Sequence, residues 1–414
     1  MAKYPRRRDV LGGIGAAGAA SLAGCFGLFE GDDEDGGQTI ELGLLMGVTG
    51  ELEQLGPPIR DAAELVPEQV NNADTDFEVD TQFEDTNTSP TQGVDGAEAL
   101  VNAGYPMICG ALGSEVTQQV AESTAVPNQV TMCSPASTSP DITDLNDDDF
   151  LFRTAATDAL QGVVLAQIAS EELGHDTASV LALNNAYGSG LSDGFATSFE
   201  NDFGGTITEQ VSFTAGQQSY TSQLQSALDG NPDTMLIIGY PESGVQIFRD
   251  FYSSFDRSDM DILVADGLQD SGLPDSVGED MSNVRGTAPL GAGPGVEFFQ
   301  EQFEDAYGEP PEGPFLRQSY DAAAVLVLAH AASDGTGSGV RDNMRTVTEG
   351  EGEQITPETL VDGIEMAANG DDIVYEGVSG PVAFDENGDL ASATYEYFQF
   401  TAEGDIETIS EVTP

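Results

Sequence analysis

From Thr39 onward the chain alternates short apolar runs with amphipathic stretches of helical period, and this alternation leaves little freedom of fold. The apolar runs cover 40–47, 77–83, 106–110, 129–133, 179–183, 206–213, 234–239, 261–265 and 284–288. Between them, helices are predicted over 58–71, 91–103, 115–124, 160–173, 190–202, 220–228 and 244–255. Strands separated by helices pair in parallel, because a parallel neighbour needs a crossover, and the crossover helices cover both faces of the sheet. The stretch 38–414 is too long for one hydrophobic core and suits two α/β domains. The segment 150–157, FLFRTAAT, stands where one series of strand-helix units ends and the next begins, and is expected to cross between the domains. A helical third follows, over 296–307, 320–333 and 357–369, then strands near 381–384 and 394–400, with surface loops at 334–340 and 349–353.

The first residues have a different design. Lys3 and Arg6 to Arg8 lead into a Gly- and Ala-rich apolar run over 10–24, the plan of a signal peptide at 1–25. That run is too short for a membrane span of roughly 20 apolar residues. Arg6, Arg7 and Arg8 resemble a twin-arginine export address. Leu22-Ala23-Gly24-Cys25 resembles a lipobox, in which the sulfur of Cys25 takes the lipid and anchors the protein on the extracytoplasmic membrane face. Residues 26–37, acidic and glycine-rich, form a tether.

Charge then limits the partners. Against 73 acidic residues there are 12 basic ones, net −61, and Lys3 is the single lysine. No basic patch exists to neutralise phosphates, which excludes nucleic acid. Disorder is excluded by the 39% hydrophobic content and its regular spacing. The acids are scattered, without the spaced ligands of a calcium loop, and are read as a halophilic surface. In molar salt a Debye length of about 3 Å screens its self-repulsion. Besides Cys25 there are Cys109 and Cys133, each near a strand end, which form either a disulfide or two buried thiols; neither has the company a zinc site needs.

Enzymatic patterns are sparse. Gly190-Leu-Ser192-Asp-Gly194 fits a nucleophile elbow, but Ser192 falls inside a predicted helix, and neither His175 nor His330 sits as a general base would. Gly291-Ala-Gly-Pro-Gly295 lacks the Lys-Ser/Thr ending of a phosphate loop. No catalysis, cofactor or metal is expected.

Five stretches, in order along the chain, carry a resemblance: GALGSEVTQQVA from Gly110, CSPASTSPDIT from Cys133, FRTAATDALQG from Phe152, NNAYGSGLSDGF from Asn184 and GPVAFDENGDL from Gly380. Over 38–400 the chain resembles the leucine/isoleucine/valine-binding proteins, type I periplasmic solute-binding components of ABC transporters, in a haloarchaeal lipoprotein form. The resemblance implies two Rossmann-like lobes with parallel sheets joined by a multi-crossing hinge. Lobe 1 would take 38–156 plus 289–385 and lobe 2 would take 157–288 plus 386–414, with crossings near 153–157, 287–290 and 385–390. It also implies an amino-acid ligand in the cleft and ABC permease subunits as membrane partners. The alternatives are a receptor feeding a chemotaxis transducer, or a binder of another small amide or carboxylate solute.

Onto this chain the resemblance carries the following roles. The hydroxyl and N–H of Ser114 would hold the ligand α-carboxylate, with Ala136, Ser137 and Thr138 as the second part of that clamp. Across the cleft Tyr187 and Tyr240 would seal the site, and the carboxylate of Asp266 would take the ammonium. Where the family often has an aromatic residue before a glycine, this chain has Gln54-Leu55-Gly56, which makes that wall aliphatic.

Overall fold

The computed structural model describes residues 38–257 and 260–414. The signal at 1–25 with Cys25, and the tether at 26–37, lie outside the described residues.

The first sheet is built from β1 (Gln38–Met46), β2 (Phe77–Asp85), β3 (Met107–Gly110), β4 (Thr131–Ser134) and β5 (Leu151–Arg153). Its order is β2-β1-β3-β4-β5, with every pair parallel. The helices α1 (Gly56–Asn72), α2 (Pro90–Ala103), α3 (Ser114–Val120) and α4 (Val126–Asn128) provide the crossovers. The central strands β3 and β4 are buried at every residue, as parallel strands covered on both faces must be. Edge strand β2, FEVDTQFED, instead carries acids that discourage pairing with another chain.

The chain then repeats the plan through α5 (Asp158–Gln167), β6 (Thr177–Leu183), α6 (Ala186–Asn201), β7 (Thr206–Phe213), α7 (Thr221–Ala227), β8 (Thr234–Ile238), α8 (Pro241–Ser254), β9 (Asp261–Val264), α9 (Leu273–Val277) and β10 (Val284–Leu290). These strands lie in the order β7-β6-β8-β9-β10, the same relative order as the first five. In each sheet the direction of winding reverses beside the first strand, between β1 and β3 and between β6 and β8. The crevice at the carboxyl ends of strands at such a switch point is where open α/β sheets bind ligands.

The remaining chain runs through α10 (Val296–Tyr307), α11 (Leu316–Ala331), α12 (Gly337–Met344), β11 (Glu353–Ile355), α13 (Leu360–Asn369), β12 (Ile373–Tyr375), β13 (Thr394–Phe400) and β14 (Ile406–Val412). Helix α11 is buried on nearly all sides and packs on α1, β1, β3 and β4, so it belongs to the first sheet. The last two strands extend the second sheet, β13 antiparallel to β10 and β14 antiparallel to β13.

Several local expectations need correction. FLFRTAAT does not cross as a whole: its first part is β5, held by Met132↔Leu151 pairing, and the chain leaves the first sheet after Arg153. The second crossing follows Leu290 and does not span 287–290, which are strand. Residues 381–384 make only isolated bridges, Glu376↔Pro381 and Phe384↔Leu390. The loop expected at 334–340 contains the start of α12, where the Thr336 hydroxyl accepts from the Gly339 N–H at 3.1 Å and caps the helix despite its glycines. The second sheet is mixed, because two antiparallel strands complete its edge.

Arg153, 1% exposed, ties two crossings together. Its guanidinium forms a two-point ion pair with Asp389, in which Nη2 meets Oδ2 at 2.8 Å, and it also donates to Thr143 Oγ1 at 2.7 Å and Ser139 O at 2.8 Å. Asp321 on α11 is equally buried and accepts from Tyr375 Oη, Val378 N and Ser379 N at 2.7–2.8 Å. That fixes the chain as it starts back toward the second sheet.

Candidate ligand-binding site

The carboxyl ends of both sheets converge on one enclosed pocket. From the first half come Leu52 and Leu55 after β1, Ile59 on α1, Leu112 and Ser114 after β3, Ala136 after β4, and Phe315 just ahead of α11. From the second come Tyr187 after β6, Tyr240 after β8, and Asp266 and Gly267 after β9. About 20 Å³ of free space remains inside, room for a single water. A larger guest enters only if the two halves part. A wider cavity of about 720 Å³ adjoins through Leu55 and Phe315, lined by polar groups such as Gln269, Arg317 and Glu396. It is open to solvent, whereas small-ligand sites enclose most of the ligand surface, and the enclosed pocket is therefore the candidate.

The polar groups occupy one end. Ser114 Oγ accepts from the N–H groups of Thr138 and Ser139, both at 3.2 Å, so its own proton remains free to donate. The Asn185 side chain accepts from Gly188 N at 2.8 Å and starts α6, which brings Tyr187 into the pocket. Tyr187 and Tyr240 stack with centroids 5.5 Å apart and planes 10° from parallel. Gly267 makes this close packing feasible, since a Cβ there would stand 2.5 Å from Gly239 O and 3.1 Å from Tyr187 Oη. Tyr187 Oη donates to Asp266 Oδ1 at 3.4 Å.

Asp266 is 3% exposed, and burial pushes its carboxyl up to about 6 despite hydrogen bonds from Gln161, Tyr187 and Gly267 that favour the anion. Behind it lies Asp158 on α5, completely buried, with its pKa held well above the ordinary range by desolvation and then by the Asp266 charge. Asp158 Oδ2 accepts from Thr138 Oγ1 at 3.0 Å, while Asp158 Oδ1 and Gln161 Oε1 have no hydrogen-bond partner. Among the described residues the cation acting on Asp158 is Arg153, which is already committed to Asp389. The pocket thus holds an excess of buried negative charge, which is costly unless a cation or a proton compensates it.

Of the residues expected from the sequence, Ser114, Ala136, Tyr187, Tyr240 and Asp266 line one pocket. Thr138 is turned to Asp158. Ser137 is turned away into the first sheet, its Oγ 2.7 Å from Thr117 Oγ1 and 3.0 Å from Leu112 O. Cys109 and Cys133 are free and buried, so the disulfide alternative is corrected. They are register neighbours on parallel strands β3 and β4. Ser192 lies in the body of α6 and accepts from Gln210 Nε2 at 3.0 Å. His175 pairs with Asp261 at 3.0 Å, and burial lowers the pKa of His330. Among the described residues no His/Cys/Asp/Glu cluster could hold a metal ion, and no helix is long and apolar enough to cross a membrane.

The apolar wall of Leu52, Leu55, Ile59, Leu112 and Phe315 went largely unread in the sequence, as did Asp158 and Gln161. Phe315 holds φ +68°, a left-handed backbone rare for a bulky residue, and such strain collects at functional sites.

Comparison with known proteins bears on the family and the fold. A family model described as periplasmic binding protein matches residues 39–404. The chemotactic signal transduction system substrate-binding protein BasB of Halobacterium salinarum is 27% identical over 359 residues, 84% of this chain and 83% of that protein. The leucine-, isoleucine-, valine-, threonine-, and alanine-binding protein of Pseudomonas aeruginosa is 24% identical over 367 residues, 87% of this chain and 90% of the other. The crystal structure of a leucine-binding protein from Thermotoga maritima superposes with a TM-score of 0.75 at 23% identity, covering 91% of this chain and 99% of that one.

Proposed function

The chain belongs to the periplasmic binding protein family, and from that premise we propose that it captures an amino acid of the branched-chain type in the pocket between its two sheets and delivers it to an ABC permease. One observation carries the choice of ligand. Asp266 is buried at the polar end of the pocket with Ser114, Tyr187 and Tyr240, and no cation among the described residues is paired with it. A ligand ammonium supplies the missing charge in a charge-assisted contact. At the same end the free hydroxyl proton of Ser114 is placed for the ligand carboxylate, while Leu52, Leu55, Ile59, Leu112 and Phe315 receive an aliphatic side chain. Thr138 acts through Asp158 and does not touch the ligand. Binding is not coupled to a reaction.

Capture requires opening and closing. Two lobes are proposed, one around each sheet, with the crossings after Arg153, after Leu290 and before Thr394 acting as the hinge. Calorimetry in molar KCl with a panel of the twenty amino acids tests the reading. Leucine, isoleucine or valine is expected to bind with micromolar affinity; no binding by any of the panel would remove the amino-acid assignment.

Export and anchoring belong to the same reading. Cys25→Ser is expected to move the protein from the membrane pellet to the soluble fraction, with ligand affinity unchanged. If the variant stays with the membrane, the anchor lies elsewhere. A sensory role is the second reading, favoured by the resemblance to the chemotactic protein of Halobacterium salinarum. A deletion strain that keeps amino-acid uptake and loses taxis would select it.

A further inference from the structure

Directly after β1 the chain makes one tight turn, Gly50–Leu52, whose consecutive side chains serve two sites. Leu52 is 6% exposed and lines the ligand pocket. Glu51 reaches the other half of the molecule, where its Oε2 accepts from Ser243 Oγ at 2.6 Å.

The receiving end is built into the second half. Ser243 is buried in the first turn of α8, and the hydroxyl of the fully buried Tyr220 stands 3.3 Å from Ser243 Oγ, which limits the rotamers open to the serine. The cap residue of α8 is Tyr240, which makes no side-chain cap. The first turn of this 14-residue helix therefore has no carboxylate or hydroxyl acceptor at its cap position. Helix N-termini favour negative charge; Glu242 already lies in this first turn, and Glu51 adds a second carboxylate from across the cleft, held by the Ser243 hydroxyl. Tyr240 itself lines the ligand pocket. Both ends of the contact are thus one residue or one helical turn from groups that touch the ligand.

We infer that Glu51 is a closure latch: it hydrogen-bonds Ser243 at the start of α8 only when the two halves have closed, and it slows ligand release without touching the ligand. In the open form Glu51 is hydrated and the start of α8 faces water. On closure the latch forms as Leu52 meets the ligand side chain, so pocket filling and locking happen together. Glu242 faces Glu51 from the same helix turn and opposes it, and burial together with that charge raises the Glu51 pKa while the Ser243 bond lowers it. This inference rests on the two-lobed binding reading.

Two measurements on the full chain carrying Cys25→Ser test it. The pair Glu51→Cys with Ser243→Cys, bridged by a short bifunctional thiol reagent whose spacer makes up for the shortened side chain at 51, is expected to form an intramolecular crosslink, read by thiol titration; no crosslink overturns the latch whatever the ligand is. With L-leucine as probe, Glu51→Ala is expected to raise the dissociation rate about tenfold, in line with the loss of a charged hydrogen bond. The association rate and the ligand-free unfolding midpoint should stay unchanged. Glu51→Gln, which keeps the acceptor, should recover most of the slow release. An unaltered dissociation rate in Glu51→Ala overturns the inference. If the crosslink forms but L-leucine does not bind the parent protein, the ligand assignment fails and the latch stands.

Discussion

Asp266→Ala is expected to weaken binding of the best amino acid of the panel by two to three orders of magnitude. The carboxylate is buried in the same pocket as Ser114, and removing one partner of a buried charge pair costs about 2–5 kcal/mol, much of it because the ligand ammonium is left without a counter-charge. Asp266→Asn separates charge from shape, since the amide oxygen still accepts from Tyr187 Oη, and its loss should approach that of alanine. The pH dependence has a defined sign. Burial raises Asp266 to about 6, and the ammonium binds its ionised form, so affinity should be level above that pH and fall about tenfold per unit below it. The ligand-free protein runs the other way. A carboxyl whose folded pKa is raised contributes stability that is present in acid and lost as the pH rises through about 6. The groups facing it are Asp158, Gln161, Tyr187 and Tyr240, and of these only Asp158 could share its titration. Calorimetric affinities of the parent and the Asn variant between pH 5 and pH 8 would check both points, the range being set by the pKa of about 6. A change under about threefold in the alanine variant would show that the ammonium is held elsewhere.

Arg153→Ala is expected to give the largest loss of stability in the chain. The side chain is 1% exposed, and its removal strands the Asp389 carboxylate and the Ser139 carbonyl together. Breaking a buried ion pair from one side costs about 3–5 kcal/mol, a large part of the stability of a typical domain. The effect should appear as a lower denaturant midpoint at fixed molar salt, and Asp389→Asn, which keeps partial hydrogen bonding, should lose less. An alanine variant with an unshifted midpoint would mean that the crossings are held by their backbone bonds, such as Arg153 N to Gly388 O at 3.0 Å.

Much of this was legible in the sequence because its signals were long and local. The parallel strands and their crossover helices follow from period alone, and the strand ends bring Ser114, Tyr187, Tyr240 and Asp266 to one place. What was not legible depends on contacts between distant segments. Leu52 and Phe315 look like ordinary core residues until the fold sets them side by side, and Phe315 arrives from far along the chain at a backbone angle that no pattern encodes. Asp158 is one acid among many, set apart only by its complete burial. Three-residue β5 is too short for periodicity to register, and β14, IETISEV, reads as polar tail because most of its exposed residues are polar, Ile409 excepted.

Helix α11 covers β1, yet Ala331 is made long after Gln38. During synthesis the first sheet therefore stays uncovered on that side until most of the chain exists, while β6 to β10 are contiguous and pair among themselves earlier. The amino-terminal half waits for α11, made after β6 to β10, and the second sheet in turn waits for β13 and β14, so neither half matures as it emerges, unlike the usual order. A chain of this topology acquires its complete tertiary structure only after translation is nearly over.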